Sequence, residues 1–259
     1  MSDILIFSSL FAYFSVFLIL LRIRSIKLSK SWFVPFFAIY IGLCFATLLA
    51  VFCNGTESSF SKNDSFFSVL VDVLNPLNSR GKVLYGGYFG AMIGILLANI
   101  VSRRKSLPDF LDISAISISL LFTVWRLGCF LGGCCYGRPS SMGVSFGMDT
   151  AAFADLVNTS LVSGDHTVPL LPTQLISCAG DFAIFVFLLI FFCRNKTRYP
   201  YFYFFAHALL YGMGRFTIEF FRIDPREFWG PLSMSQWFSL VLIAAALVFF
   251  IKNRKEIRQ

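Results

Sequence analysis

The stretch from Ile113 to Pro139 reads I-S-A-I-S-I-S-L-L-F-T-V-W-R-L-G-C-F-L-G-G-C-C-Y-G-R-P. Its first half, Ile113 to Trp125, is apolar apart from three serines and a threonine, so Arg126 arrives late in a segment that reads as a membrane helix. A charge at such a depth costs at least ~2.5 kcal/mol even on lenient insertion scales, which makes intramembrane ionisable residues functional candidates. A second run repeats the anomaly: Y-G-M-G-R-F-T-I-E-F-F-R, from Tyr211 to Arg222, sets Arg215 among apolar neighbours. Two such arginines call for a shared reason.

The rest of the chain supports a membrane setting. Of 259 residues, 57% are hydrophobic and 14% charged, where a soluble domain carries roughly 25% charge; mean hydropathy is +0.73. These values predict an all-α integral membrane protein with a single polytopic domain over residues 1–259. About seven stretches are long enough to cross the ~30 Å hydrocarbon core: Ile4–Leu21, Trp32–Cys53, Val83–Val101, Phe110–Gly132, Thr173–Cys193, Phe202–Phe221 and Leu232–Ile251. The first has no basic leader and no small-residue cleavage site, and reads as a retained anchor.

The net charge of +8 does not point to nucleic acid. Of 22 Lys and Arg residues, 14 fall in four short stretches, Arg22 to Lys30, Arg103 to Lys105, Arg194 to Arg198 and Lys252 to Arg258. By the positive-inside rule all four lie on the cytoplasmic side, which puts the N-terminus outside and the C-terminus inside. Two outside excursions result. Residues 54–82 hold a short apolar piece, Phe66–Leu74, too short to span. Residues 137–172, rich in Gly, Ser, Asp and Pro, predict a small periplasmic head.

Depth ties the two arginines together. Arg126 lies ~24 Å along its helix from the cytoplasmic end, and Arg215 ~20 Å along its own. Both are therefore expected in the outer half of the membrane, with Tyr85 of Y-G-G-Y-F-G at a similar level. Guanidinium offers bidentate donors and keeps its charge, so an arginine pair there suits a phosphate. The alternative is that each arginine snorkels to water or caps a carbonyl. Tyr211, Arg215 and Glu219 are spaced i, i+4, i+8 and share a helix face. That stripe reads as an ion pair that lowers the insertion cost or as a polar wall in which Glu219 orients Arg215 towards an anion, and the two are compatible. Asp181, in the fifth span, either pairs with an arginine or is protonated and hydrogen-bonded. Glycines 128, 132, 133 and 137 loosen the end of the fourth span and free backbone N–H groups for an anion. Such backbone at membrane depth implies a cavity.

Seven cysteines are present. Cys129, Cys134 and Cys135 cluster, yet there is no C-x-x-C pair and the two histidines, His166 and His207, stand apart. No metal and no cofactor are expected. An odd count also argues against a complete disulfide framework.

At these residues the chain resembles the prolipoprotein diacylglyceryl transferase family of bacterial inner membranes. Tyr85-Gly86-Gly87 stands where the family has His-Gly-Gly, and R-L-G-C-F-L-G-G-C-C-Y-G-R from Arg126 is similar to its R-x-G-N-F-x-N-G-E-x-x-G-R signature. P-T-Q-L from Pro172, the Tyr211–Arg222 run and S-M-S-Q from Ser233 resemble three further family segments in the same order. The resemblance implies transfer of the diacylglyceryl group of phosphatidylglycerol to the thiol of a lipobox cysteine, or to another acceptor, at the outer leaflet, with glycerol phosphate leaving. It implies that Arg126 and Arg215 bind and polarise the phosphate, that Tyr211 and Gly137 shape the site and that Glu219 braces Arg215. Gly86, Gly87, Gly133, Gly137 and Arg222 join the phospholipid-binding set. The implied partners are phosphatidylglycerol or a related anionic phospholipid and a prolipoprotein signal peptide or another acceptor.

Three positions depart from the family pattern: Tyr85 replaces its histidine, Cys129 its asparagine and Cys134 its glutamate. Tyrosine, with an unperturbed pKa near ~10, is a poor base for a thiol at neutral pH. Tyr85, Cys129, Cys134 and Cys135 are the candidates for the altered acceptor half. Three readings follow: a paralogue with another acceptor and Cys134 or Cys135 as nucleophile or base, a transferase with a rearranged base, or a non-catalytic phospholipid-binding or transport protein on the same fold.

Overall fold

The computed structural model describes residues 2–26, 31–53, 84–101, 106–194, 199–226 and 228–257. Among them, seven helices of 17 residues or more match the seven expected spans: α1 (Ser2–Ile23), α2 (Val34–Cys53), α3 (Leu84–Val101), α4 (Leu107–Leu131), α6 (Thr173–Arg194), α7 (Phe202–Ile218) and α8 (Met234–Lys252). Two short helices complete the set, α5 (Ala151–Leu156) and α9 (Arg254–Ile257). Helices α1, α4, α6 and α8 are each long and apolar enough to cross a membrane, and α2 and α3 contain shorter apolar runs. The architecture is that of a multi-pass membrane protein. The excursion 54–82 and the basic stretch Arg103 to Lys105 lie outside the described residues.

Where the ends differ from expectation, local chemistry accounts for it. Helix α4 begins three residues early, at Leu107, because Pro108 fits a first helical turn, where its missing N–H is not needed. Helix α7 stops at Ile218 and tightens into a 3₁₀ turn over Glu219–Phe221. Helix α8 begins after Ser233, whose side chain accepts from the Gln236 N–H while the Gln236 side chain accepts from the Ser233 N–H. That reciprocal capping box is the physical content of S-M-S-Q.

The chain forms two compact units, residues 14–114 and residues 1–13 with 115–259. In the first, α2 and α3 pack backbone to backbone. A Cβ at Gly86 would sit 2.4 Å from the Phe45 carbonyl oxygen, one at Gly90 2.7 Å from that of Ile41, and one at Gly94 2.4 Å from that of Phe37. Glycine at every fourth position lets the helices approach this closely, the small-residue packing that serves where lipid supplies no hydrophobic drive.

The second unit carries the head and the arginines. Residues 137–172 fold around a core of Tyr136, Phe146, Ala152, Leu156 and Leu170. A hairpin pairs Val162 with Thr167, and Thr150 caps α5 by accepting from the Phe153 N–H. The head closes on itself where the Gly137 N–H donates to the Leu171 carbonyl at 2.9 Å, and it is tied to the end of α7 by the Arg138 N–H, which donates to the Phe221 carbonyl at 3.0 Å, and by the Ile223 N–H, which donates to that of Tyr136 at 3.3 Å. Below it, α7 packs closely on α8, with Gly212 against Ile243 and the Ser239 carbonyl.

Candidate active site

Arg126 on α4 and Arg215 on α7 line one cavity of about 610 Å³. Asp181 and Ser177 of α6 and Tyr211 of α7 share its wall, and the rest is largely apolar, with Ile176, Ile184 and Phe221 among the lining residues. A Cβ at Gly180 of α6 or Gly214 of α7 would meet no atom within 4 Å. Both arginines are buried, at 5% and 8% exposed.

The two are held differently. Arg215 Nη1 lies 2.7 Å from Glu219 Oε2, and its Nη2 donates to Ser235 Oγ at 3.1 Å. Arg126 Nε is buried and has no hydrogen-bond partner among the described residues. A buried donor without a partner is rare and calls for a ligand or water. Asp181 lines the same cavity as both cations.

Glu219 is the hub behind Arg215. Its Oε2 lies 3.4 Å from Arg222 Nη1, its Oε1 3.4 Å from Arg226 Nε, and Ser233 Oγ donates to Oε1 at 2.9 Å. Arg222 in turn donates to both oxygens of Asp224, at 2.9 and 2.6 Å, and Arg226 Nη2 donates to the carbonyls of Glu219 and Arg222. Three guanidinium groups thus share two carboxylates in a buried network. Of the two sequence readings of the Tyr–Arg–Glu stripe, the geometry realises the ion pair and leaves Arg215 on the cavity wall as well. Asp224 and Arg226 belong to none of the motifs read from the sequence, whereas Ser235 lies within S-M-S-Q. The alternating charges of R-I-D-P-R were the available signal for the first two.

The signature turn has its own logic. Beyond Leu131 the Cys134 N–H donates to the Cys129 carbonyl and the Gly133 N–H to that of Phe130, both at 3.1 Å. These are the two bonds of a Schellman cap. Gly133 supplies the left-handed residue, at φ +68, and a Cβ there would lie 2.6 Å from Thr150 Cβ. Cys135 is also left-handed, at φ +62. The turn is strapped from α6: Thr173 Oγ1 donates to the Cys135 carbonyl, and Gln174 Nε2 donates to that of Cys134 at 2.6 Å. P-T-Q-L therefore serves the signature. The three thiols all lie within 4.8 Å of one another. Hydrogen bonds from Cys129 and Cys134, then the charges of Arg222 and Arg126, hold the Cys135 thiol well below the ordinary thiol range.

Gly137 is enclosed, since a Cβ would lie 2.9 Å from the carbonyl oxygens of both Leu171 and Phe221. It lets the signature pair with Arg222. Tyr85, Gly86 and Gly87 belong to the other unit. There Tyr85 is buried, Gly86 abuts the α2 backbone and Gly87 lies in ordinary contact with Ala46.

Comparison with known proteins agrees with this geometry. The family model described as prolipoprotein diacylglyceryl transferase matches residues 4–252. The phosphatidylglycerol–prolipoprotein diacylglyceryl transferase 2 of Clostridium perfringens is 29% identical over 251 residues, covering 85% of this chain and 92% of that protein. The corresponding transferase of Clostridium tetani is 30% identical over 194 residues, covering 72% and 73%. With a family-model match over nearly its whole length, the chain belongs to the prolipoprotein diacylglyceryl transferase family.

Proposed function

We propose that this protein transfers the diacylglyceryl group of phosphatidylglycerol to a thiol, that of a prolipoprotein's lipobox cysteine, at the outer leaflet of the bacterial inner membrane. One observation carries the reading: two buried arginines from different helices line a single, mostly apolar cavity, and one of them keeps a donor unpartnered. Such a cavity suits acyl chains, and the arginine pair suits the phosphate between them and the headgroup.

Arg126 and Arg215 bind the phosphodiester and take up the charge that builds on its bridging oxygen as the carbon–oxygen bond breaks. The acceptor sulfur forms a bond to the glyceryl carbon, glycerol phosphate leaves, and the thiol proton ends on the released phosphate. Glu219 positions Arg215, while Tyr211 and Gly137 shape the cavity and the turn above it. The chain is oriented with its N-terminus outside and its head, residues 137–172, on the outer side.

Incubating the purified protein in nanodiscs with headgroup-labelled phosphatidylglycerol and a lipobox peptide tests this. Peptide-dependent release of labelled glycerol phosphate is expected. Saturable binding of the phospholipid without release, with or without peptide, would instead establish a non-catalytic binder.

A further inference from the structure

The cluster of Cys129, Cys134 and Cys135 is not explained by phospholipid chemistry. In the sequence the spacing looks unsuited to a metal, because four residues separate the first two cysteines. The fold removes that objection. Cys129 and Cys134 occupy the two positions that a Schellman cap brings into contact, where an apolar pair ordinarily sits. Cys135 follows in a left-handed conformation that costs a non-glycine residue ~1–2 kcal/mol. Its carbonyl and that of Cys134 are fixed by Thr173 and Gln174. The result is three half-buried sulfurs within 4.8 Å of one another.

We propose that Cys129, Cys134 and Cys135 form a three-thiolate site for a soft monovalent cation, copper(I). Three sulfurs in a trigonal plane, each on a ~2.3 Å metal–sulfur bond, lie ~4.0 Å apart. The turn need close by less than an ångström to reach that spacing. Thiolates select soft ions, copper(I) and zinc foremost. Structural zinc takes four protein ligands, and among the described residues the cluster offers three and no neighbouring histidine or carboxylate. Binding forms three copper–sulfur bonds, releases the remaining thiol protons to solvent and moves no electron.

The proposal stands apart from the transferase reading, because occupancy is read without turnover. The full-length protein in nanodiscs is titrated anaerobically with copper(I) held by a coloured chelator, and the copper-loaded protein is then examined by X-ray absorption. One copper per chain withdrawn from the chelator, in a shell of three sulfurs at ~2.3 Å, is the expected result. Loss of that copper in Cys129→Ser, Cys134→Ser and Cys135→Ser is expected too, with retention when Cys44, Cys53, Cys178 and Cys193 are all replaced by serine. Failure to withdraw copper overturns the proposal, and so does a shell of fewer than three sulfurs, tighter binding of zinc(II), or formation of a disulfide within the cluster. The sulfur count on the unsubstituted protein decides even if a serine variant does not fold.

Discussion

Replacing Glu219 by glutamine tests the network that holds Arg215 to the cavity wall. The carboxylate is 3% exposed and meets Arg215 at 2.7 Å, Arg222 and Arg226 at 3.4 Å each and Ser233 Oγ at 2.9 Å. Glutamine keeps an acceptor for Ser233 and removes the charge. One buried and two half-buried guanidinium groups are then left with Asp224 as their counter-ion. Removing one member of a buried pair costs ~3–5 kcal/mol. At ~2–4 °C per kcal/mol for a chain of this size, the thermal midpoint in nanodiscs falls by ~6–20 °C. The freed Arg215 also loses its position, and a displacement of ~1 Å costs ~10²-fold in rate. The double variant Glu219→Gln with Arg215→Gln no longer buries an uncompensated Arg215. Its stability loss should fall short of the sum of the single losses by ~1–3 kcal/mol, while its transfer stays as low as that of either single variant. An unchanged midpoint in Glu219→Gln, or strictly additive losses, would refute the reasoning.

Three smaller perturbations bear on the same site. Ser233→Ala removes both the bond to Glu219 and the cap of α8, for an expected loss of ~1–2 kcal/mol, read as a lower thermal midpoint. Gly137→Ala forces a methyl against two carbonyl oxygens. It should cost ~1–3 kcal/mol and depress transfer by separating the signature from Arg222, so a variant with full activity would show that the turn is not needed there. In the head, burial pushes the Asp155 carboxyl up from its ordinary value, and Asp224 adds to that. A raised folded-state pKa contributes stability below the unfolded value near ~4, which is lost as pH rises through the folded value. Asp155→Asn should therefore raise stability slightly at pH 7, by no more than ~0.5 kcal/mol on this exposed side chain, read as a slightly higher midpoint, and leave it unchanged near pH 3. A lower midpoint at pH 7 would contradict this.

The seven helices were legible because apolar length is a one-dimensional property, and the positions of Arg126 and Arg215 within them needed only counting. The depth argument set both arginines in the outer half of the membrane; that they line one cavity depends on which helices are neighbours. What the sequence hid depends on three-dimensional contact. Gly86 reads as part of a phospholipid-binding motif, yet its missing side chain is already required by the Phe45 carbonyl of α2. S-M-S-Q and P-T-Q-L were recognisable as segments, and the cap of α8 is a local contact three residues apart, while bracing Glu219 and strapping the signature turn appear only with hydrogen bonds 14 and about 40 residues apart. The cysteines show the same limit. Their spacing excludes the familiar C-x-x-C geometry, but a left-handed cap at Gly133 folds the x₄ gap shut.

The central claim is that Arg126 and Arg215 serve one phosphate, and transfer by their variants tests it most directly. Initial rates are measured in phosphatidylglycerol nanodiscs with a lipobox peptide, for Arg126→Ala, Arg215→Ala and the double variant, each shown by its thermal midpoint to be folded. Loss of a charge-stabilising donor should cost ~10²–10³-fold, and groups acting as a unit are not additive. Each single variant should fall by that amount and the double variant no further than the worse of the two. Transfer near the unsubstituted rate in either single variant would contradict the shared phosphate.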